Sequence, residues 1–121
     1  MNLVHRLICR LRERLTPELG FRIRQPSGLA ARVDSVEEWV IYDEIFQGGE
    51  YDRAIDRMLA TADGRPSTVL DLGANVGYFG LRVFDRWIAR KGNRQFPFRI
   101  AGCEGVAAIH AKLVDRAQDN G

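Results

Sequence analysis

The N-terminal segment has apolar residues at helical spacing with arginines between them. Positions three and four apart share one face of a helix, so the pattern predicts an amphipathic helix. Its apolar members are Leu3, Val4, Leu7, Ile8, Leu11 and Leu15. We expect this apolar side to pack against the domain or a partner rather than on an anionic membrane. Alternating apolar residues around Pro26-Ser27-Gly28 then predict a β-hairpin.

A helix is predicted directly after the hairpin. Ser35 and Glu38 have the spacing of a capping box, in which each residue satisfies a free backbone amide of the first turn. The helix is therefore expected over residues 36–46, with Trp39 and Val40 on its inner face.

The remaining elements alternate between helix and strand. They are a helix over residues 51–61, a strand ending near Leu72, a helix with apolar positions from Val76 to Ile88, a strand over residues 98–103, and a last helix. Trp87 is expected in the core, since its helix has the strongest periodicity in the chain. The alternation favours an α/β fold with a parallel sheet.

The segment from Val69 to Phe79 joins a predicted strand to a predicted helix. Its turn contains Gly73, Asn75 and Gly77, residue types that adopt positive φ at low cost. The dinucleotide fingerprint needs glycines at the first, third and sixth positions, and two of these fail here. Asp71 suits a cationic ligand better than a pyrophosphate, so the turn is predicted to bind S-adenosylmethionine. The alternative is a turn that binds nothing, with Asp71 accepting backbone amides.

A second acid follows the next predicted strand. Glu104 comes directly after residues 98–103. In nucleotide-binding α/β units, an acid at the end of the second strand accepts hydrogen bonds from ribose hydroxyls. Glu104 is therefore predicted to hold the sugar, although a first-turn acid favoured by the dipole of the following helix would occupy the same position.

These segments resemble a known family. VLDLGANVGYFGL, residues 69–81, resembles the first motif of FkbM-family methyltransferases, and residues 41–52 are similar to the segment that precedes it there. The resemblance covers residues 34–121 and implies a Rossmann-like methyltransferase fold that uses S-adenosylmethionine, usually to methylate a hydroxyl. Family members often follow the acid with proline and asparagine, where this chain has Gly105-Val106. The predicted donor-binding residues are Asp71, Gly73, Ala74, Asn75, Gly77 and Glu104.

The sequence of 121 residues predicts two strands of a parallel sheet. A doubly wound sheet needs more strands than this. We expect the start of a longer enzyme, with an N-terminal helix, hairpin and helical cap over residues 1–66. Residues 67–121 are expected to form the start of an S-adenosylmethionine-binding Rossmann-like domain, which is truncated in this sequence. The catalytic residues and the pocket for a small-molecule or glycan hydroxyl are expected downstream, so this stretch alone is expected to be inactive. His110 is a poor candidate for the base, because it lies on a helix of the donor half.

Composition and the lengths of the apolar runs exclude several classes of protein. Apolar residues make up 45% and charged residues 28%, as in globular chains, and a net charge of +2 argues against nucleic-acid binding. Apolar runs are too short for a signal peptide or a membrane span, so a cytoplasmic protein is expected. Cys9 and Cys103 have no disulfide or metal-ligand spacing and are expected to be buried thiols.

Two other functions stay open. An NAD(P)-binding oxidoreductase fragment is disfavoured by the glycine spacing of the turn. A non-catalytic truncated module, which binds a partner through its basic N-terminal helix, is the second.

Overall fold

A computed structural model describes residues 3–121, apart from the side chains of residues 17–19. Its class is mixed α/β, as the sequence predicted. The elements in chain order are α1 (Leu3–Leu19), β1 (Phe21–Arg24), β2 (Ala30–Val33), α2 (Val36–Tyr42), a π-helical turn (Asp43–Gln47), α3 (Asp52–Ala62), β3 (Ser67–Leu72), α4 (Tyr78–Lys91), β4 (Phe98–Cys103) and α5 (Ala107–Arg116). No helix in this described part of the chain is long and apolar enough to cross a membrane.

Strands β1 and β2 form the predicted antiparallel hairpin. Phe21 lies opposite Val33, and the connecting turn is closed by a 2.7 Å hydrogen bond from the Gln25 N–H to the Leu29 carbonyl. Ala31 and Val33 of β2 are fully buried, because alternate residues of a strand point to the same face. The hairpin therefore contributes one side of the core.

The predicted helix after Ser35 is confirmed, and it begins at Val36. The Ser35 hydroxyl accepts a hydrogen bond from the Glu38 N–H at 3.2 Å, as the capping box requires. The Glu38 carboxylate, however, accepts from the Asp34 N–H at 2.6 Å. The α-helix ends at Tyr42 and continues as the π-helical turn, after which the chain leaves through the glycines at 48 and 49.

Val40 was expected on the inner face of α2, and this prediction is wrong. Trp39 and Tyr42, three residues apart, take the buried side of the helix. Val40 lies about 100° around the axis from Trp39 and is 55% exposed.

Strands β3 and β4 pair in parallel, with Ser67 beside Phe98 and Leu72 beside Cys103. One face of this sheet packs against α4, where Phe98 is buried. On the other face Leu70 and Leu72 are 61% and 74% exposed. Parallel sheets are normally covered on both faces. Within residues 3–121, however, this sheet is covered on one face only.

In the described part of the chain, the core contains two apolar clusters. The first joins the hairpin and α2 to the start of α4, and it includes Tyr42 stacked on Phe46 at 4.9 Å between ring centres. The second joins α3, α4 and β4 and contains Trp87, as predicted. The first cluster contains residues from both segments that the sequence separated, 1–66 and 67–121, and is made of Ala31, Val33, Trp39, Tyr42, Ile45, Phe46, Val76 and Tyr78.

Helix α1 contacts the rest of the chain through polar side chains. The Trp39 indole N–H donates to the Thr16 hydroxyl at 2.8 Å, and Arg12 donates to Asp43 at 2.8 Å. The Arg12 guanidinium also lies 4.1 Å from the centre of the Trp39 ring. The six apolar residues of the predicted stripe, from Leu3 to Leu15, are exposed, so the expected packing of that side against the domain does not occur within residues 3–121.

The expectation of two buried thiols is also wrong. Cys103 is exposed, because it lies at the end of β4 beside Leu72 on the uncovered face of the sheet. Cys9 is partly exposed on α1.

A buried guanidinium fastens α5 to the hairpin and α2. Arg116 donates to Asp34 at 2.8 Å and to Glu38 at 2.9 Å, and Lys112 donates to Glu38 at 3.0 Å. Burial raises the pKa of Glu38, but hydrogen bonds from the Asp34 backbone, Arg116 and Lys112 outweigh burial and lower this pKa. Ionised Glu38 therefore stabilises the fold.

Replacing Glu38 with glutamine is expected to cost about 2 to 3 kcal/mol of unfolding free energy, since Arg116 loses a charge-assisted hydrogen bond. A lowered folded-state pKa contributes stability that is present at neutral pH and is lost as pH falls through that pKa. Urea unfolding between about pH 7 and pH 3 should therefore show a shallower loss of stability in Glu38→Gln than in the unsubstituted chain. Glu44→Gln, at an exposed acid, is the control and should keep the full pH dependence. Equal curves for Glu38→Gln and the unsubstituted chain would contradict the ion pair.

Candidate functional site

The turn between β3 and α4 contains three left-handed residues in alternation. Gly73, Asn75 and Gly77 have φ of 80°, 50° and 91°. The chain leaves β3 at Leu72 and enters α4 at Tyr78, so it reverses within residues 73–77. Glycine takes positive φ freely, and asparagine is among the side chains that tolerate it. The prediction that Asn75 adopts this conformation is confirmed.

The turn is fixed to the end of the neighbouring strand. The N–H groups of Gly73 and Ala74 both donate to the Cys103 carbonyl, at 2.8 and 2.9 Å. The Gly77 N–H donates to the Ala74 carbonyl at 2.9 Å, which closes the turn before α4 begins. Residues of the turn are thus held against the carboxyl end of β4.

Glu104 lies directly beside the turn. One carboxylate oxygen accepts from the Asn75 N–H at 3.0 Å, and the other accepts from the Val106 N–H at 2.9 Å. The hydrogen bond from Val106, with smaller contributions from Asn75 and Gly105, lowers the pKa of Glu104. The carboxylate is therefore ionised at neutral pH. Each oxygen has a second lone pair, so Glu104 can still accept hydrogen bonds from a ligand hydroxyl.

Asp71 lies on the face of the sheet that α4 covers. It is half-buried, opposite Gly102 of β4, and burial raises its pKa. Within residues 3–121 no hydrogen bond to its carboxylate is found, so Asp71 does not accept the backbone amides of the turn as the alternative supposed. Glu104 accepts the Asn75 amide instead. Asp71 keeps its acceptor capacity for a ligand.

A cavity of about 580 Å³ lies between the hairpin, the turn, α4 and α5. Asp71, Ala74 and Gly77 line it, whereas Gly73, Asn75 and Glu104 do not. The predicted site residues therefore divide between two sides of the turn. The structure brings Gly73, Asn75 and Glu104 together at the exposed edge of the sheet, and it places Asp71 beneath them.

Gly102 is a site residue that the sequence reasoning missed. A Cβ atom on Gly102 would lie 3.1 Å from the Cβ of Ala74, so the bare backbone of β4 lets the turn approach. A glycine inside a strand is itself a signal of close backbone approach, and residue 102 lies inside the predicted strand 98–103. Gly77 has a similar role, because its Cβ would meet the Leu113 side chain at 2.9 Å.

Within residues 3–121 we identify no catalytic residue. His110 is exposed on α5 at the cavity. Groups of three or more His, Cys, Asp or Glu side chains with metal-binding proximity do not occur in residues 3–121.

Comparisons of this chain with protein families, curated proteins and solved structures give no match.

Substitutions at Asn75 test the left-handed turn. Asn75→Val is expected to lower the unfolding free energy by about 1 to 2 kcal/mol, because a β-branched side chain clashes with its own backbone at positive φ. Asn75→Gly should be nearly neutral, since relief of strain offsets the added freedom of the unfolded chain. Gln95→Val, at an exposed loop position without positive φ, is the control for urea unfolding. A tolerated Asn75→Val would contradict the observed backbone.

Proposed function

We propose that this chain is the donor-binding part of an S-adenosylmethionine-dependent methyltransferase that resembles the FkbM family. The observation that carries the proposal is the 3.0 Å hydrogen bond between the Asn75 N–H and Glu104. It joins a turn of left-handed residues and an ionised carboxylate at one edge of a parallel sheet. Ligands of open α/β sheets bind at the carboxyl ends of the strands, which is where this pair lies.

The residues at this edge fit the chemistry of the donor. S-adenosylmethionine carries a sulfonium, an amino group and ribose hydroxyls, which carboxylates can bind. Glu104 would accept the ribose hydroxyls at this edge. Asp71, which lines the cavity on the other side of the turn, would favour the positive groups through its charge and not by direct contact. A Cβ added to Gly73 meets no atom within 4 Å, so the outer side of the turn has space for a ligand.

The uncovered sheet face supports the Rossmann-like part of the proposal. That fold places helices on both faces of its sheet. Within residues 3–121, α4 covers one face, while Leu70 and Leu72 remain exposed on the other. Apolar side chains at these positions are what helices on the second face would cover.

The reaction we propose is O-methylation of a small-molecule or glycan hydroxyl. The bound donor supplies an electrophilic methyl group. The residues of this chain would hold the donor and keep its sugar fixed, since rate enhancement in such a transfer comes largely from positioning. Activity would require further residues that bind the acceptor.

An NAD(P)-dependent oxidoreductase fragment is the second candidate, and one contact disfavours it. The third glycine of the dinucleotide fingerprint falls on Tyr78 in this chain. Tyr78 is buried, and its hydroxyl donates to the Arg32 carbonyl at 2.6 Å. The position that needs a bare backbone for close helix packing therefore holds a large side chain with a structural role.

Calorimetric titration of the full chain with S-adenosylhomocysteine tests the proposal. We expect saturable binding that Gly73→Ala weakens roughly ten-fold, because an alanine that relaxes in the free turn must return to positive φ on binding, at a cost of about 1 to 2 kcal/mol. Gly92→Ala is the matched control. Gly92 also has positive φ, 71°, with no atom within 4 Å of an added Cβ, but it ends α4 away from the turn.

Gly92→Ala should lower the unfolding free energy by a similar amount and leave binding unchanged. Absence of heat with S-adenosylhomocysteine, or equal weakening by both substitutions, would refute the proposed site. Saturable binding of NADH in place of S-adenosylhomocysteine would favour the oxidoreductase. Binding of neither would favour the non-catalytic module.

A further inference from the structure

Helix α1 presents an apolar stripe to solvent. Its members recur at spacings of three and four residues, which places them on one side of a helix. Their exposed fractions run from 83% at Leu3 to 39% at Leu15. We call this set the α1 stripe: Leu3, Val4, Leu7, Ile8, Leu11 and Leu15.

The α1 stripe faces away from the side of the helix that contacts the protein. That side is polar and is fixed by Thr16, which binds the Trp39 indole, and by Arg12, which binds Asp43. At 3.6 residues per turn, Arg12 and Thr16 lie about 120° around the axis from the centre of the α1 stripe. The helix is therefore attached in a way that leaves its apolar side available.

Three arginines lie along the edge of the α1 stripe that is opposite Arg12 and Thr16. Arg6, Arg10 and Arg14 are exposed and fall on one side of the helix by their spacing. Arg12, by contrast, is paired with Asp43. Where the structure describes both side chains, no ion pair is found for Arg6, Arg10 or Arg14.

We propose that α1 binds the surface of an anionic lipid bilayer, with the α1 stripe in the headgroup and acyl boundary and the three arginines on the lipid headgroups. A helix with a continuous apolar side and an arginine-rich edge has the chemistry of an interfacial helix. Arginine side chains reach the headgroups while their methylene stems cover apolar surface. The proposal does not depend on donor binding, which lies on other elements.

The charge of this edge favours an anionic surface over a second copy of the chain. In a symmetric pair of α1 helices, the same three arginines are present on both partners, and among the described side chains of α1 they outnumber the one exposed acid on that side, Glu13. A bilayer that contains phosphatidylserine supplies negative charge beside an apolar layer. The apolar layer then covers the α1 stripe, and the anionic headgroups pair with the arginines.

Vesicle flotation of the full chain tests this interface. We expect the chain to float with vesicles of phosphatidylcholine and phosphatidylserine in about equal amounts, and to bind far less to phosphatidylcholine alone. Arg6→Gln with Arg10→Gln should weaken partition roughly five-fold for each arginine removed. Leu7→Asp with Leu11→Asp should abolish it. Added salt should weaken binding of the unsubstituted chain.

Matched controls separate the interface from bulk charge and hydrophobicity. Arg53→Gln with Arg57→Gln removes the same charge from exposed positions of α3, and Val40→Asp adds a charge at an exposed apolar position of α2. Both should float as the unsubstituted chain does. Circular dichroism of each variant should show an unchanged fold.

Failure of the unsubstituted chain to float, or equal loss in the α3 controls, would overturn the proposal. So would a stable dimer in size-exclusion chromatography that Leu7→Asp with Leu11→Asp converts to monomer, because the α1 stripe would then be covered by a second copy. Equal binding to neutral and anionic vesicles would overturn the assigned role of the arginines.

Discussion

The reversal of the backbone between β3 and α4 is the constraint on which the site depends. The chain must leave a parallel strand at Leu72 and begin a helix at Tyr78, and it does so through left-handed residues at 73, 75 and 77. This backbone directs the amides of the turn toward the end of β4. The amides of Gly73 and Ala74 donate to the Cys103 carbonyl, and the Asn75 amide donates to Glu104. Without positive φ at these positions, the turn would separate from the carboxylate.

Packing beneath the turn keeps this geometry in place. Gly102 and Gly77 let β4 and α5 approach the turn so closely that a Cβ on either would be crowded. Arg116 then fastens α5 to the hairpin and α2 through Asp34 and Glu38. A buried charge is costly unless it is paired, so this contact selects one arrangement of the layers. The stability of the N-terminal elements and the position of the site are thereby linked.

The sequence predicts local structure correctly where the residue type itself determines the backbone conformation. Ser35 starts α2 through its hydroxyl, residues 98–103 form a strand, and Asn75 takes the left-handed conformation. In each case the cause lies within a few residues of the effect. The α/β class follows from the same local order of elements.

What the sequence did not reveal depends on contacts distant along the chain. Val40 and Cys103 were expected inside, but neighbouring residues or an uncovered sheet face decide their exposure. The attachment of α1 by its polar side depends on Thr16 meeting Trp39, which no periodicity encodes. The cavity beneath Asp71 likewise arises from the meeting of the hairpin, α4 and α5. Periodicity defines an apolar side, but not which surface covers it.

We propose that the turn and Glu104 bind a nucleoside donor, and amide chemical shifts test this proposal directly. In a ¹⁵N-labelled sample of the full chain, titration with S-adenosylhomocysteine should shift the amides of residues 73–77 and 104–106 most strongly, while those of α1 and the hairpin stay in place. Unchanged amide positions throughout the turn, or shifts confined to elements outside it, would contradict a donor site at this edge of the sheet.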